Sequence, residues 1–501
     1  MTAAQRGTRL ATSSLYNLLG QGAPFLAAVV AIPLLLHGMG TDRFGVLTLA
    51  WVVIGYFGVL DLGLSRALTQ VVAEHLATDA DARATPVAWL ALLIMAALGL
   101  VATLVVCLSA PWLVWSVLKI PPALRVETVQ AFYLLATIIP FAVLTAGLAG
   151  ILTAFQRFGL LNAIRAPMYI LSFLAPLAIL PFTHSLPWIT AGLVAGRVLG
   201  CLGHFLACLP LMAPVRSAFS LSRAAIKPLF RLGAWITVSN VISPLMQYLD
   251  RFVIGAILSV AAVAYYATPY EVITKVGIVS GAVSAVLFPA FASSYRQDRQ
   301  RLVMLFVRGT KYLALILFPV LLVAVAVAPE ILTVWLGADF ARHSAAVLQV
   351  LAIGVFMNGP AQIFVTLIQG VGRPDLTAKL HLAEIMVYPP ALWWGIHHFG
   401  ILGAAAAWSA RMAVDSALMF MVTARLLHAD RAPLVPVGAG LALALAGLAA
   451  PALLPVGAPV RIAVASLELV VFLAVAWAVV VGRTERATIR AHLGFASARD
   501  S

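Results

Sequence analysis

The stretch QYLDRFVIG, Gln247 to Gly255, sets an acid beside a base inside a long apolar run. Histidine aside, ten ionisable residues fall within such runs: Asp61, Arg197, Asp250, Arg251, Glu271, Lys275, Glu384, Arg411, Asp415 and Glu468. If these runs cross a bilayer, each charge costs about 2.5–3.5 kcal/mol at a helix centre, so it faces protein or water and marks a functional site by default. Two chemistries are on offer. The guanidinium and ammonium groups of Arg197, Arg251, Lys275 and Arg411 suit an anionic head group such as a diphosphate, because such groups pair well with phosphate. The acids Asp61, Asp250, Glu271 and Glu384 suit H+ or Na+ coupling, or line the same cavity as counter-charges.

The spacing weighs these roles against simple pairing. Glu271 and Lys275 are i,i+4, as are Arg411 and Asp415, so each pair can neutralise itself on one helix. Asp250 and Arg251 are about 100° apart around a helix and are expected not to face each other. Across a short hairpin, Ser259 to Val263, they lie at the depth of Glu271 and Lys275, which permits a four-residue charged cluster. It would be a structural clamp or the edge of a cavity. Arg197 has no acid at i±3 or i±4, so its partner must come from another helix, with Asp61 and Glu384 as candidates, or from a ligand. Arg66 is placed to snorkel to the interface.

The elements that must position these charges are membrane spans. The chain of 501 residues is 63% hydrophobic and 10% charged, with a mean hydropathy of +1.03. Soluble chains carry about 25% charged residues, and runs of about 20 apolar residues are long enough to span a bilayer as helices. The expected fold is all-α, a polytopic membrane protein with about 14 spans, at 13–37, 44–68, 87–109, 127–155, 160–182, 187–211, 229–258, 263–292, 311–337, 343–370, 374–397, 400–427, 433–455 and 459–482. With an even number of spans both termini share a side. Of the 32 Lys and Arg, 23 fall on that side, 5 on the other and 4 within spans, so the positive-inside rule puts both termini in the cytoplasm. The net charge of +14 has the same source. Attraction to anionic membrane lipids explains it, and no nucleic acid is implied.

The chain repeats weakly. Arg197 and Arg411 sit in the sixth and twelfth spans, and FQRFGLLNAIR after the fourth span faces IQGVGRPDLTAK after the tenth, aligning Gln156 with Gln369, 213 positions on. Six spans per half give two like-oriented lobes, residues 1–220 and 221–430, with two added helices and a tail at 431–501. Such lobes suggest rocking around a central cavity, as in transporters built from parallel repeats.

Cys107, Cys201 and Cys208 show no pairing pattern and no CxxC, and read as packing residues. No GxGxxG, Walker A, HExxH or GxSxG motif appears, so no cofactor, metal or enzymatic chemistry is signalled, and a gradient must drive any transport.

Three segments carry a family resemblance. GTDRFGVLTLAWVVIGYFGVLDLGLSRALTQ (Gly40–Gln70), YLDRFVIGAILSVAAVAYYATPYEV (Tyr248–Val272) and GVGRPDLTAK (Gly370–Lys379) resemble the Wzx-type polysaccharide flippases of the multidrug/oligosaccharidyl-lipid/polysaccharide exporter superfamily. Asp61, Arg66, Asp250 and Arg251 match that family's polar positions. The resemblance implies a MATE-like fold in the bacterial inner membrane. It also implies flipping of an undecaprenyl-diphosphate-linked oligosaccharide for cell-surface polysaccharide synthesis, alongside other assembly proteins of the membrane. An ion-coupled drug or organic-cation antiporter on the same fold is the competing expectation. A lipid II flippase ranks lower, because several arginines of its first two spans are missing. A membrane polysaccharide polymerase ranks lower too, because no large extramembrane loop is expected.

Overall fold

In hydrocarbon the backbone has no water to bond to, so a spanning segment must satisfy its own N–H and C=O groups, which favours helices. The computed structural model describes residues 3–57, 64–78, 86–212, 234–427, 434–453 and 457–476, and it is an all-α protein. Its helices are α1 (Ala3–Phe57), α2 (Leu64–Thr78), α3 (Pro86–Trp112), α4 (Arg125–Ala154), α5 (Phe158–Ile179) and α6 (Leu186–Cys208). They continue with α7 (Ala234–Ile257), α8 (Val260–Thr274), α9 (Ile278–Gln297), α10 (Arg299–Ala326), α11 (Ala328–Leu336) and α12 (Ala338–Gly370). The last are α13 (Pro374–Leu427), α14 (Val435–Leu453) and α15 (Ala458–Val475). Two of these join successive spans through a glycine of positive φ, α1 at Gly40 (φ 78°) and α13 at Gly400 (φ 60°). Ten segments among the described residues are long and apolar enough to cross a membrane. Ala234–Ile257 and Pro374–Leu427 are not among the ten; they carry Asp250, Arg251, Glu384, Arg411 and Asp415.

The expected spans mostly find their helices, with one clear shift. The ninth, expected at 311–337, is the helix Arg299–Ala326, and residues 328–336 form the separate helix α11. Arg299, Arg301, Arg308 and Lys311 made the first three turns look like a loop. Asp298 nevertheless caps them by accepting the Arg301 N–H at 2.8 Å, and a helix can run on past the apolar core into polar surroundings. The chain breaks at Val327, just before Pro329, which suits a helix start.

The chain forms two compact units. One comprises Met1–Val272 with Pro374–Ala407, the other Ile273–Arg373 with Trp408–Ser501. In the first, α4 is the hub for α2, α3 and α6, and α1 packs on α5. Hydroxyls tie the hub to its neighbours: Thr69 donates to the Gly150 carbonyl at 3.1 Å and Thr103 to the Ala136 carbonyl at 2.9 Å. Such interhelical bonds supply part of the adhesion that the hydrophobic effect cannot supply within lipid. In the second unit α12 is the hub for α9, α10 and α11, with α14 and α15 against α10. Arg461 of α15 closes the end of α10, donating to the Ala326 carbonyl at 2.6 Å and pairing with Glu330 at 2.5 Å.

The turns that end the two hubs share one capping pattern. After α4, the N–H of Gln156 bonds the Thr153 carbonyl and that of Arg157 bonds the Leu152 carbonyl. After α12, Gly372 bonds Gln369 and Arg373 bonds Ile368 in the same pattern. Both are Schellman caps, whose C′ residue takes the left-handed conformation: Gln156 at φ 55° and Gly372 at φ 83°. The equivalent positions are therefore Gln156 and Gly372, 216 apart, which corrects the alignment of Gln156 with Gln369.

The α7–α8 hairpin belongs to the first unit. Ser259 caps α8 by accepting the Ala262 N–H at 3.1 Å. The Lys119 N–H donates to the Gly255 carbonyl at 2.9 Å, and its ammonium donates to the Ile257 carbonyl. A cation at the last carbonyls of α7 also suits the helix dipole. On the other side Gly45 of α1 lies so close that an added Cβ would overlap the Val260 carbonyl. Gly45→Ala is therefore expected to destabilise the protein by about 1–3 kcal/mol, the usual cost of overpacking. The matched control, Gly281→Ala in α9, has open space around it and should melt like the parent in a thermal-unfolding assay on purified protein.

Candidate functional site

The hairpin brings three of the expected in-span charges together. Arg251 is fully buried, and its Nη2 pairs with Glu271 Oε1 at 3.1 Å across the two helices. Its Nη1 donates to the Gln247 carbonyl at 2.9 Å and to Asp250 Oδ1 at 3.2 Å. The expectation that Asp250 and Arg251 would not face each other is thus corrected. The long arginine side chain folds back along its own helix, and the Asp250 carboxylate also accepts the Arg251 backbone N–H at 2.8 Å. Asp250 is fully buried as well, with Tyr266 donating its hydroxyl to Oδ2 at 2.5 Å.

Aromatic rings close the cluster. The Arg251 guanidinium carbon lies 4.2 Å from the ring centroid of Tyr270 and 5.4 Å from that of Tyr248, in the range where a cation is attracted to a ring face. Tyr266 and Tyr270, one turn apart on α8, are stacked at 6.0 Å. Spacing of i,i+4 puts both on one helix face, and that face carries the acid's donor and the cation's platform. Glu271 is the member that reaches the surface, with a side chain 37% exposed.

Arg197 is half-buried in α6, and among the described residues it makes no ion pair. Glu384 is therefore not its partner. The Tyr169 phenol of α5 lies within electrostatic reach of Arg197 and also of Tyr248. Tyr169 is thus a neighbour that Arg197 and Tyr248 share within one unit. α1 accommodates this face. Trp51 donates to the Ser172 carbonyl of α5 at 3.0 Å, and a Cβ at Gly55 would lie 2.9 Å from the Tyr248 hydroxyl.

The other expected residues are spread. Asp61 lies outside the described residues. Glu384 is buried in the part of α13 that belongs to the first unit. Lys275 is exposed and opens the 3-10 turn that directly follows α8. Arg411 and Asp415 are half-buried in the second unit, and Arg66 is exposed. Tyr169, Tyr248, Tyr266 and Tyr270 were not singled out as site residues. Their signal in the sequence was a tyrosine pair four apart immediately before Glu271. An apolar cavity of about 590 Å³ between α3, α4 and α6, lined by Trp89, Phe141, Phe205 and leucines, contains none of these charges.

Tyr266→Phe should lower stability by about 1–3 kcal/mol, since it strips a donor from a buried carboxylate. Arg251→Ala should cost about 3–5 kcal/mol, because it leaves the buried Asp250 carboxylate without its guanidinium partner. Thermal unfolding of the purified variants reads both, and an Arg251→Ala protein as stable as the parent would refute the cluster.

The sequence profile of the family described as "Polysaccharide biosynthesis protein" matches residues 39–345. The chain is 30% identical over 420 residues to a putative O-antigen transporter of Shigella flexneri, covering 81% of this chain and 96% of that one. It is 24% identical over 208 residues to the lipopolysaccharide biosynthesis protein WzxC of Escherichia coli (strain K12), 41% of this chain and 42% of the relative. Among solved structures the fold is similar to an inward-facing multidrug resistance MATE family transporter of the MOP superfamily. That match has a TM-score of 0.69 at 16% identity, over 83% of this chain and 94% of the other. It is also similar to the lipid II flippase MurJ in an inward closed conformation, with a TM-score of 0.65 at 12% identity over 93% and 99%. Its family profile and its near full-length relative place this multi-pass membrane protein in the polysaccharide biosynthesis family, among the Wzx-type polysaccharide transporters, on a MATE-like helical fold.

Proposed function

We propose that this protein flips an undecaprenyl-diphosphate-linked oligosaccharide from the cytoplasmic to the outer face of the bacterial inner membrane, supplying cell-surface polysaccharide synthesis. The observation that carries this reading is the near full-length similarity to a putative O-antigen transporter. The geometry supports it through Arg197, a half-buried guanidinium at mid-span with no described acid partner. A phosphate would supply a counter-charge, and guanidinium binds phosphate in a bidentate fork. Lys275 and Arg411 are further cations that the reading offers to an anionic cargo.

The reading includes alternating access between lobes 1–220 and 221–430, which the matching Schellman caps support as an internal repeat. It places both termini in the cytoplasm, from the distribution of Lys and Arg. H+ or Na+ is the coupling ion, and other polysaccharide-assembly membrane proteins are its partners. A drug or organic-cation antiporter has one observation in its favour, the partly exposed carboxylate of Glu271.

Deletion of the gene is expected to accumulate a polyprenyl-diphosphate oligosaccharide on the cytoplasmic face. Complementation with Arg197→Ala or Lys275→Ala should restore expression while cutting surface glycan at least about tenfold, the scale of one lost charge-assisted contact. Normal glycan with either variant removes that residue from the site. Transport of a cationic dye by purified protein that ignores the lipid-linked sugar would reverse the choice of function.

A further inference from the structure

Arg251 is fully enclosed by its own counter-ions, yet it is the cation that the hairpin is built around. Its nitrogens are not held equally. Nη1 is fixed by the Gln247 carbonyl and by Asp250, both on its own helix. Nε has no hydrogen-bond partner among the described residues. Nη2 is held by Glu271, on the other helix. The two acids differ as well. Asp250 has no exposure and accepts from Tyr266, the Arg251 backbone N–H and Nη1. Glu271 has more than a third of its side chain exposed. A guanidinium presents its donors in a planar fork that accepts a carboxylate or a phosphate in the same geometry, so the place of the Glu271 carboxylate is one that a phosphate oxygen can take.

We propose that Arg251 is a switched phosphate contact: Glu271 occupies its Nη2 in the empty transporter and is displaced by a phosphate of the cargo. The inference rests on the lipid-diphosphate reading above for the source of that phosphate. Asp250, Tyr266 and Tyr270 then act as positioning residues that keep the guanidinium in place while its outer partner is exchanged. Tyr248 lines the exchange position, within electrostatic reach of both Arg251 and Glu271. The carboxylate released beside an entering phosphate is repelled by it, and is neutralised by taking up a proton from water or a sodium ion. Lys275, at the turn that follows α8, is the nearest cation further along the chain.

The test uses the full-length protein in nanodiscs of zwitterionic lipid, with inorganic diphosphate as the probe and calorimetry as the readout. Glu271→Gln removes the competing charge, so diphosphate should bind about tenfold more tightly than to the parent. The gain should vanish in Glu271→Gln combined with Arg251→Gln. Unchanged or weaker binding to Glu271→Gln overturns the proposal. If that variant does not yield folded protein, Glu271→Asp withdraws the carboxylate by one methylene and should gain about threefold; no gain there overturns it equally. Repeating the measurement with phosphatidylglycerol in the disc separates the two phosphate sources. A gain that persists supports the cargo, and one that disappears assigns the contact to lipid headgroups and overturns the cargo assignment. Glycan export is read separately: a parent that exports normally while Glu271→Gln shows no gain refutes the switch alone, and a gain without export refutes the transport reading alone.

Discussion

The structure of the hairpin follows from the cost of burying one guanidinium. Removing a charged group from water carries a penalty of several kcal/mol even after relaxation, recovered only when partners of opposite charge and good hydrogen-bond geometry stand ready. Arg251 is fully buried, so α7 and α8 must supply those partners in one register. The Asp250 carboxylate from its own helix, the Glu271 carboxylate from the next and the face of Tyr270 meet that demand together. Sliding α8 by one residue would turn Tyr266, Tyr270 and Glu271 about 100° away. A buried ion pair is a weak source of stability but a good device for fixing register, and here it does so across a connection of only two residues, Leu258 and Ser259.

That register has to be held against the rest of the unit, and small residues hold it. Within lipid, close backbone approach replaces the hydrophobic effect as a source of adhesion, and glycine permits the closest approach. Gly45 meets the start of α8, Gly55 lies under Tyr248, and Gly255 stands against Leu118. Lys119 adds two donors to the last carbonyls of α7. The charged cluster fixes α7 against α8, and these contacts fix the pair against α1 and the chain that follows α3.

How much of this was legible in the sequence divides along physical lines. Span positions were, because hydropathy over about 20 residues is a local property. The ninth span failed where four cations masked a helix that begins before the apolar core. The acid–base cluster was legible as a possibility, since a short hairpin matches depths. Which of its members reaches the surface was not, because that depends on the rotation of each helix, set by glycines on α1 far away in the chain. The Asp250–Arg251 contact escaped for another reason. Angular separation around a helix describes Cα–Cβ directions, and an arginine has enough rotatable bonds to return to its neighbour. Tyrosines were passed over because uncharged rings carry no warning in a hydropathy reading, although the hydroxyl of Tyr266 and the ring of Tyr270 complete the site.

Arg197 and Arg251, the two mid-span arginines of the first unit, differ in kind once placed. Arg251 has its counter-charges built in, so it can remain in the low-dielectric interior whether or not a cargo is present. Arg197 has no described carboxylate, and the neighbour identified for it is the largely exposed phenol of Tyr169. A cation so placed must keep access to water or to an anion, since an isolated ion cannot be desolvated cheaply. On the proposed function the Arg197 end of the Tyr169–Tyr248 face would attract negative charge without a switch, while the Arg251 end would do so only once Glu271 gave way. An anionic cargo on that face would meet a standing attraction at one end and a conditional one at the other. That asymmetry suits a carrier, which must bind its cargo and also let it go.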